Sequence, residues 1–291
     1  MSLVVAQATD DGPRIISDTR VVFPDGPRSS FTTDTLKAVV VARDFTICFA
    51  GDVLAGLEGV REFARELEIG QPVENLLPRL HELTLNRRRP VEFIVAQRSA
   101  SSQLTRIRDG GIEHNLQTAW VGDQNGFERF QAERNKTLDS VGSLLENHLT
   151  PSGRVMNSLQ RAMQAVIDDP TIESVGNFCI AVTYKSSGFQ YLSSLFVHVG
   201  RDFHIEAGEN IFPMMAQPVA EGGYSVSVVP PVEPGTPALG LNFPTARLGM
   251  VYLPLKFDGA EVIRDISPND FVKAVKSHFG VAMEEPMLRY K

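Results

Sequence analysis

Three kinds of side chain in this sequence could do chemistry by type and position. Cys48 and Cys179 are the only thiols, and each lies inside an apolar run, so both read as inert core residues. His198 and His204 stand six apart around a turn with no companion ligands, which argues against a metal site. Ser2 is different because of where it stands. Methionine followed by a residue this small is typically trimmed by methionine aminopeptidase, which would leave a hydroxyl and a free α-amine on one residue. A serine hydroxyl is a poor nucleophile at neutral pH and needs a base nearby. An α-amine titrates close to neutrality and can be that base, provided the serine is the first residue. The alternative is an ordinary serine after Met1. No Gly-x-Ser-x-Gly elbow is present, and Gly222-Gly223 lacks phosphate-loop spacing.

The elements that would position Ser2 begin immediately after it. Leu3 to Ala8 is apolar and β-branched, Asp10-Asp11-Gly12-Pro13 makes a turn, and Arg14 to Ser17 resumes as a strand. Residues 21–36 are rich in Pro, Gly, Ser and Thr and read as a loop. Ala38 to Ala42 and Phe45 to Ala50 form a second hairpin ended by Gly51. Asp52 can cap a helix to about Leu67, with Val53, Leu57, Val60, Ala64 and Leu67 on one face. A second helix covers roughly Val73 to Leu85. Strands return at Glu92 to Gln97, Leu104 to Arg108 and Thr118 to Val121, then helical stretches at about 126–148 and 153–168. Phe178 to Tyr184 and Gln190 to Val199 again read as strands. Helices grouped between antiparallel strands predict an α+β chain built as a four-layer αββα sandwich, two sheets between helix pairs.

From about Gly200 prolines concentrate, at Pro213, Pro218, Pro230, Pro231, Pro234, Pro237 and Pro244. Strand-like runs occur at Tyr224 to Val229 and Leu248 to Leu255, and a helix is expected over Asn269 to His278 with Ser267 as its cap. Residues 2–199 thus form the main domain, and 200–291 a C-terminal elaboration of the same fold.

The bulk composition excludes several classes. Hydrophobic residues are 43% of the 291 and charged residues 22%, ordinary globular values. A net charge of -7 and a pI near 5.4 argue against a broad nucleic-acid or anionic-membrane footprint. The one dense basic cluster, Arg87-Arg88-Arg89, reads as a helix C-terminus complementing the dipole. Two cysteines cannot make a disulfide framework. The N-terminus lacks a signal-peptide pattern and no run of about 18 apolar residues exists, so a cytoplasmic protein is expected.

The opening S-L-V-V-A-Q-A-T-D-D-G-P-R-I-I-S-D-T-R, followed by K-A-V-V-V-A-R-D-F-T-I-C-F-A-G, resembles the proteasome β-subunit family of N-terminal-nucleophile (Ntn) hydrolases and its bacterial relatives. Counting from Ser2, Asp18 and Arg20 fall at the family's Asp and Arg spacing without a gap. Lys37 and Gly51 keep its Lys-to-Gly interval of fourteen, and the loop between Arg20 and Lys37 is about three residues longer. The likeness covers roughly 2–199, with the matched spacings mostly in the first fifty residues.

The resemblance implies roles for these positions. Lys37 would sit beside the Ser2 hydroxyl and either lower its pKa or relay a proton. Asp18 would pair with Lys37 and orient it, while Arg20 would brace the loop or the Asp. A structural ion-pair network is the alternative for all three. Gly51 could present its N–H to an oxyanion, serve as a strand-to-helix turn, or both. Farther on, the family's accessory Ser falls at Asp123, and its Asp-x-x-Ser pair falls on Thr171 and Ser174, so that Asp168 or Asp169 would have to supply a carboxylate. The substrate-pocket positions map onto Val21, Thr35, Phe49 and Val53, with Phe49 filling the pocket base and favouring a small or apolar side chain; Phe49 and Val53 could equally be core.

The resemblance therefore implies a peptidase acting on peptide or protein substrate through Ser2, with no cofactor, no metal, no nucleic acid and no membrane. A homo-oligomer, ring-like or related, would sequester the sites, and an unfoldase partner is left open. The alternatives are an inactive Ntn-fold scaffold, if a retained Met1 blocks the amine, and a small-molecule amidase.

Overall fold

The computed structural model describes residues 2–22, 34–98, 102–136, 149–199 and 223–287. They form a mixed α+β chain of three five-stranded antiparallel sheets and five helices.

The first sheet contains β1 (Leu3–Gln7), β2 (Arg14–Ser17), β8 (Thr118–Gly122), β9 (Ile180–Lys185) and β10 (Gly188–Tyr191), in the order β10-β9-β2-β1-β8. The second runs β3 (Ala38–Ala42), β4 (Phe45–Gly51), β5 (Val91–Arg98), β6 (Ser102–Arg108) and β7 (Gly111–Glu113) in chain order. Period-two alternation divides β1 between two cores. Leu3 and Val5 pack with Phe130, Leu159 and Met163, whereas Val4 and Ala6 join the core that holds Ile47, Ile94 and Val121.

Helix starts follow the capping residues. Asp52 accepts from Ala55 N at 2.8 Å to open α1 (Val53–Glu68), which is followed by α2 (Val73–Thr84). Asp123 opens α3 (Gln124–Arg134), accepting from Gly126 N at 2.7 Å. Thr150 caps α4 (Pro151–Ile167), with a proline in its first turn. Ser267 caps α5 (Pro268–Phe279), which ends on Gly280 in the left-handed region. The helix expected over 126–148 is described only to Arg134, and 137–148 lies outside the described residues, as does 23–33 of the expected loop. Arg89 does not serve the end of α2: its guanidinium lies 3.1 Å from Asp52 at the start of α1.

The expected two sheets are three. Residues 190–199 are two strands in different sheets, with β10 ending at Tyr191 and β11 (Ser194–Val199) starting the third. That sheet continues through β12 (Gly223–Val229), β13 (Leu239–Phe243), β14 (Leu248–Tyr252) and β15 (Ala260–Arg264). It therefore begins before residue 200. Its Leu241, Phe243, Met250 and Tyr252 join the main core, while Val229, Val251 and Leu253 pack under α5. The Phe271 ring of α5 lies directly on the sheet backbone, where a Cβ at Gly249 would come within 2.2 Å of it. Strands β7, β13 and β15 carry no clear sequence signal: β13 is bracketed by Pro237 and Pro244, and β15 is a half-buried edge.

Candidate active site

The β1–β2 pairing brings the residue after Ser2 against the end of β2. The Leu3 amide donates to Asp18 Oδ1 at 3.0 Å, and the Asp18 amide returns to the Leu3 carbonyl at 3.3 Å. Asp18 Oδ2 accepts from Lys37 Nζ at 2.8 Å, and from the amides of Arg20 and Gly176, both at 3.1 Å. One carboxylate thus ties the peptide unit of Ser2 to the Lys37 ammonium.

Lys37 precedes β3, whose apolar run carries it inward until the side chain is 1% exposed. Its Nζ also donates to the Arg20 carbonyl. An ammonium has three protons, and the third finds no partner among the described residues. Burial pulls the Lys37 pKa down, and the charges of Asp18 and Asp34 oppose that shift.

Ser2 is itself buried, and its hydroxyl makes no hydrogen bond among the described residues. Its carbonyl accepts from the Asp123 amide at 2.7 Å. This carbonyl lies so close to Gly122 that a Cβ there would stand 1.8 Å from the oxygen; with φ at +109°, only glycine fits. The Gly122 amide in turn donates to Glu92 Oε2 at 3.0 Å, linking the first sheet to the second.

Asp123 and Ser174 meet. Asp123 Oδ1 caps α3, and Oδ2 accepts from the Ser174 hydroxyl at 2.7 Å. Thr171 does not join them. It is exposed, and its hydroxyl donates to Asp169 in a surface turn. Asp169 also pairs with Arg129, and Asp168 accepts from Gln164, so neither replaces the expected carboxylate. The carboxylate near Ser174 comes instead from Asp123, on another element.

Gly51 closes β4 at φ +108°, where a Cβ would fall 2.2 Å from the Pro90 carbonyl. Its neighbour Ala50 lies against Gly122, which puts this turn beside the Ser2 carbonyl. Arg20 contributes its backbone to Asp18 and Lys37, while its side chain rests on Gly176 and its Nε is buried without a partner.

Val21, Thr35 and Phe49 are buried, and Val53 is half-buried. Phe49 belongs to the core: its ring fills the space a Cβ on Gly56 of α1 would need, and its amide donates to the Lys37 carbonyl at 2.9 Å. The Thr35 hydroxyl donates to the Asp258 carbonyl, so the segment after β14 covers this position.

One member of the cluster, Asp34, is not singled out by any sequence pattern. It is fully buried and accepts from Thr19 Oγ1 at 2.8 Å and from Asn177 Nδ2 at 2.9 and 2.8 Å. Burial pushes its pKa up to about 7, although the Asn177 and Thr19 hydrogen bonds and Lys37 pull the other way. The only local signal is a charged residue at the mouth of an apolar strand. Nothing in the sequence pairs it with Asn177.

Cys48 and Cys179 are buried free thiols, their pKa values raised by desolvation. His204 lies outside the described residues, and among those described no three His, Cys, Asp or Glu side chains are grouped as a metal site would require. No helix of the described residues is long and apolar enough to cross a membrane. Compared with known proteins, the chain matches no family model and no curated protein.

Proposed function

We propose that this chain is an N-terminal-serine amide-bond hydrolase, a peptidase of the proteasome β-subunit type built on a four-layer αββα sandwich. The observation that carries the reading is the Asp18 carboxylate, which holds the Leu3 amide on one oxygen and the Lys37 ammonium on the other. The division of β1 between two cores supports the layering, since each face of that strand is covered by a different set of elements.

Once Met1 is removed, the Ser2 α-amine accepts the hydroxyl proton through a water as Oγ attacks a substrate carbonyl. The unpartnered third proton of Lys37 stabilises the developing alkoxide, and Asp18 keeps the ammonium in place. The Gly51 N–H receives the tetrahedral oxyanion. Collapse breaks the C–N bond, the α-ammonium returns its proton to the leaving amine, and an acyl ester remains on Ser2. Water then attacks that ester and restores the hydroxyl. By the same resemblance copies of the chain assemble into a closed or helical homo-oligomer around the sites.

A second reading is an inactive scaffold of the same fold, favoured by the outward turn of Thr171. Intact mass and N-terminal sequencing of the native protein, with labelling by a β-lactone probe, separate the two. The hydrolase predicts loss of Met1 and one probe adduct that Ser2→Ala abolishes. A retained methionine with no adduct establishes the scaffold.

A further inference from the structure

A buried carboxylate needs a reason, because a charge taken out of water carries a desolvation penalty that a neutral side chain avoids. Asp34 has no step in the chemistry above, yet it touches the site twice over.

The first connection is through the 174–178 loop. Asn177, a non-glycine residue at φ +64°, turns its amide onto both Asp34 oxygens. Thr19 donates its hydroxyl to Asp34, and the same oxygen accepts from the Phe178 amide at 3.2 Å. The loop so anchored also sends the Gly176 amide to Asp18 and the Ser174 hydroxyl to Asp123. Three residues of this loop thereby grip three carboxylates, and Asp34 takes the largest share of the bonds.

The second connection is charge. Lys37 follows Asp34 by three residues, and the thread from 34 to 37 lies along 18–20, with the Thr35 amide on the Thr19 carbonyl at 3.1 Å. Burial lowers the Lys37 pKa, the charges of Asp18 and Asp34 oppose that shift, and Arg20 adds to it. The other groups coupled to Asp34 are Asp18 itself and the Tyr252 phenol of β14.

We infer that Asp34 is a positioning residue for the Ser2 site, anchoring the 174–178 loop through Asn177 and Thr19 and setting a second carboxylate on the thread that leads into Lys37. The inference rests on the N-terminal-nucleophile reading for its consequence in catalysis, and on the hydrogen bonds of Asp34 for the anchoring of the loop.

Two measurements on the full chain test it. The first is a 15N-detected titration of Lys37 Nζ in wild type, Asp34→Asn and Asn177→Ala. Asp34→Asn lowers the Lys37 midpoint by on the order of one pH unit, whereas Asn177→Ala, which keeps the charge, leaves it near wild type. An unchanged midpoint in Asp34→Asn overturns the inference.

The second is the rate of Ser2 labelling by a β-lactone against pH. Both variants slow labelling by about tenfold, the scale of a displaced supporting residue, and Asp34→Asn alone moves the alkaline limb to lower pH. Superimposable profiles for the two variants overturn the inference. If wild type takes no label, the hydrolase reading falls and the Lys37 titration still decides the role of Asp34. Should Asp34→Asn not fold, Thr19→Val replaces it. Faster exchange of the Gly176 amide then supports the anchoring role, and exchange at the wild-type rate overturns it.

Discussion

The Ser174 hydroxyl donates to Asp123 Oδ2 over 2.7 Å, across fifty-one residues of sequence. The same Asp123 offers its amide to the Ser2 carbonyl and its other carboxylate oxygen to the first turn of α3. A helix cap, a strand end and a distant loop therefore share one side chain beside the candidate nucleophile.

That sharing makes Asp123→Ala more damaging than loss of a cap alone. Cap removal costs about 1 kcal/mol, and the stranded Ser174 hydroxyl adds about another. Asp123→Ser retains the cap and should recover at least half of the loss in urea unfolding. Thr171→Ala, at the surface, should stay within about 0.5 kcal/mol of wild type. Equal effects at 123 and 171 would contradict the geometry.

Lys37→Met removes the ammonium and leaves Asp18 buried without its cation. Breaking a buried pair in this way costs roughly 3–5 kcal/mol. The double variant Lys37→Met with Asp18→Asn should be less destabilised than the sum of the singles, because the two side chains touch. Strict additivity in a double-mutant cycle would show that the pair is not coupled.

Gly122→Ala places a methyl group on the Ser2 carbonyl at a φ that disfavours any side chain. The expected loss exceeds about 2 kcal/mol. Gly70→Ala also acts at positive φ but meets open space, so its loss should be nearer 1 kcal/mol. Thermal unfolding of both variants isolates the clash from the backbone conformation.

The raised pKa of Asp34 sets a pH dependence of stability. Between the ordinary carboxylate value of 3.8 and about 7, the folded chain binds more protons at this residue than the unfolded chain does. Its contribution is therefore fully present below that window and is lost as pH rises through about 7. At about 1.4 kcal/mol per pKa unit the span is a few kcal/mol. Lys37 has a lowered pKa and acts with the opposite slope. Asp34→Asn should flatten the unfolding free energy between pH 4 and pH 7; a wild-type slope there in the variant would refute the assignment.

Tyr252 provides a control with a different sign. Its hydroxyl is buried in the main core without a hydrogen-bond partner among the described residues. Tyr252→Phe removes an unsatisfied group and keeps the ring, so stability should be unchanged or raised by up to about 1 kcal/mol. A clear loss in chemical denaturation would reveal a partner for the phenol.

The parts of this fold written in local pattern are legible in the sequence. Short apolar, β-branched runs mark β1 to β4, the stripe through Leu57 and Val60 marks α1, and Asp52 and Ser267 mark their helix starts. Where prolines bracket a strand that itself holds a glycine, as at β13, turn signals mask the pattern, and the third sheet is not legible as a sheet. Phe49 shows a different ambiguity. Its type and position suit a pocket or a core equally, and only Gly56 of α1, lying against its ring, decides for the core.

By itself the sequence marked the elements around Ser2: two short strands and a hairpin that carry Asp18, Lys37 and Gly51, because strand rise and side-chain alternation fix which way each residue of a strand faces. Tertiary structure alone decided which carboxylate reaches Ser174 and what Asp34 does in the interior. Those contacts join residues 51 and 143 positions apart. Hydrogen bonding between such distant groups depends on how whole sheets and loops pack, and no periodicity along the chain encodes it.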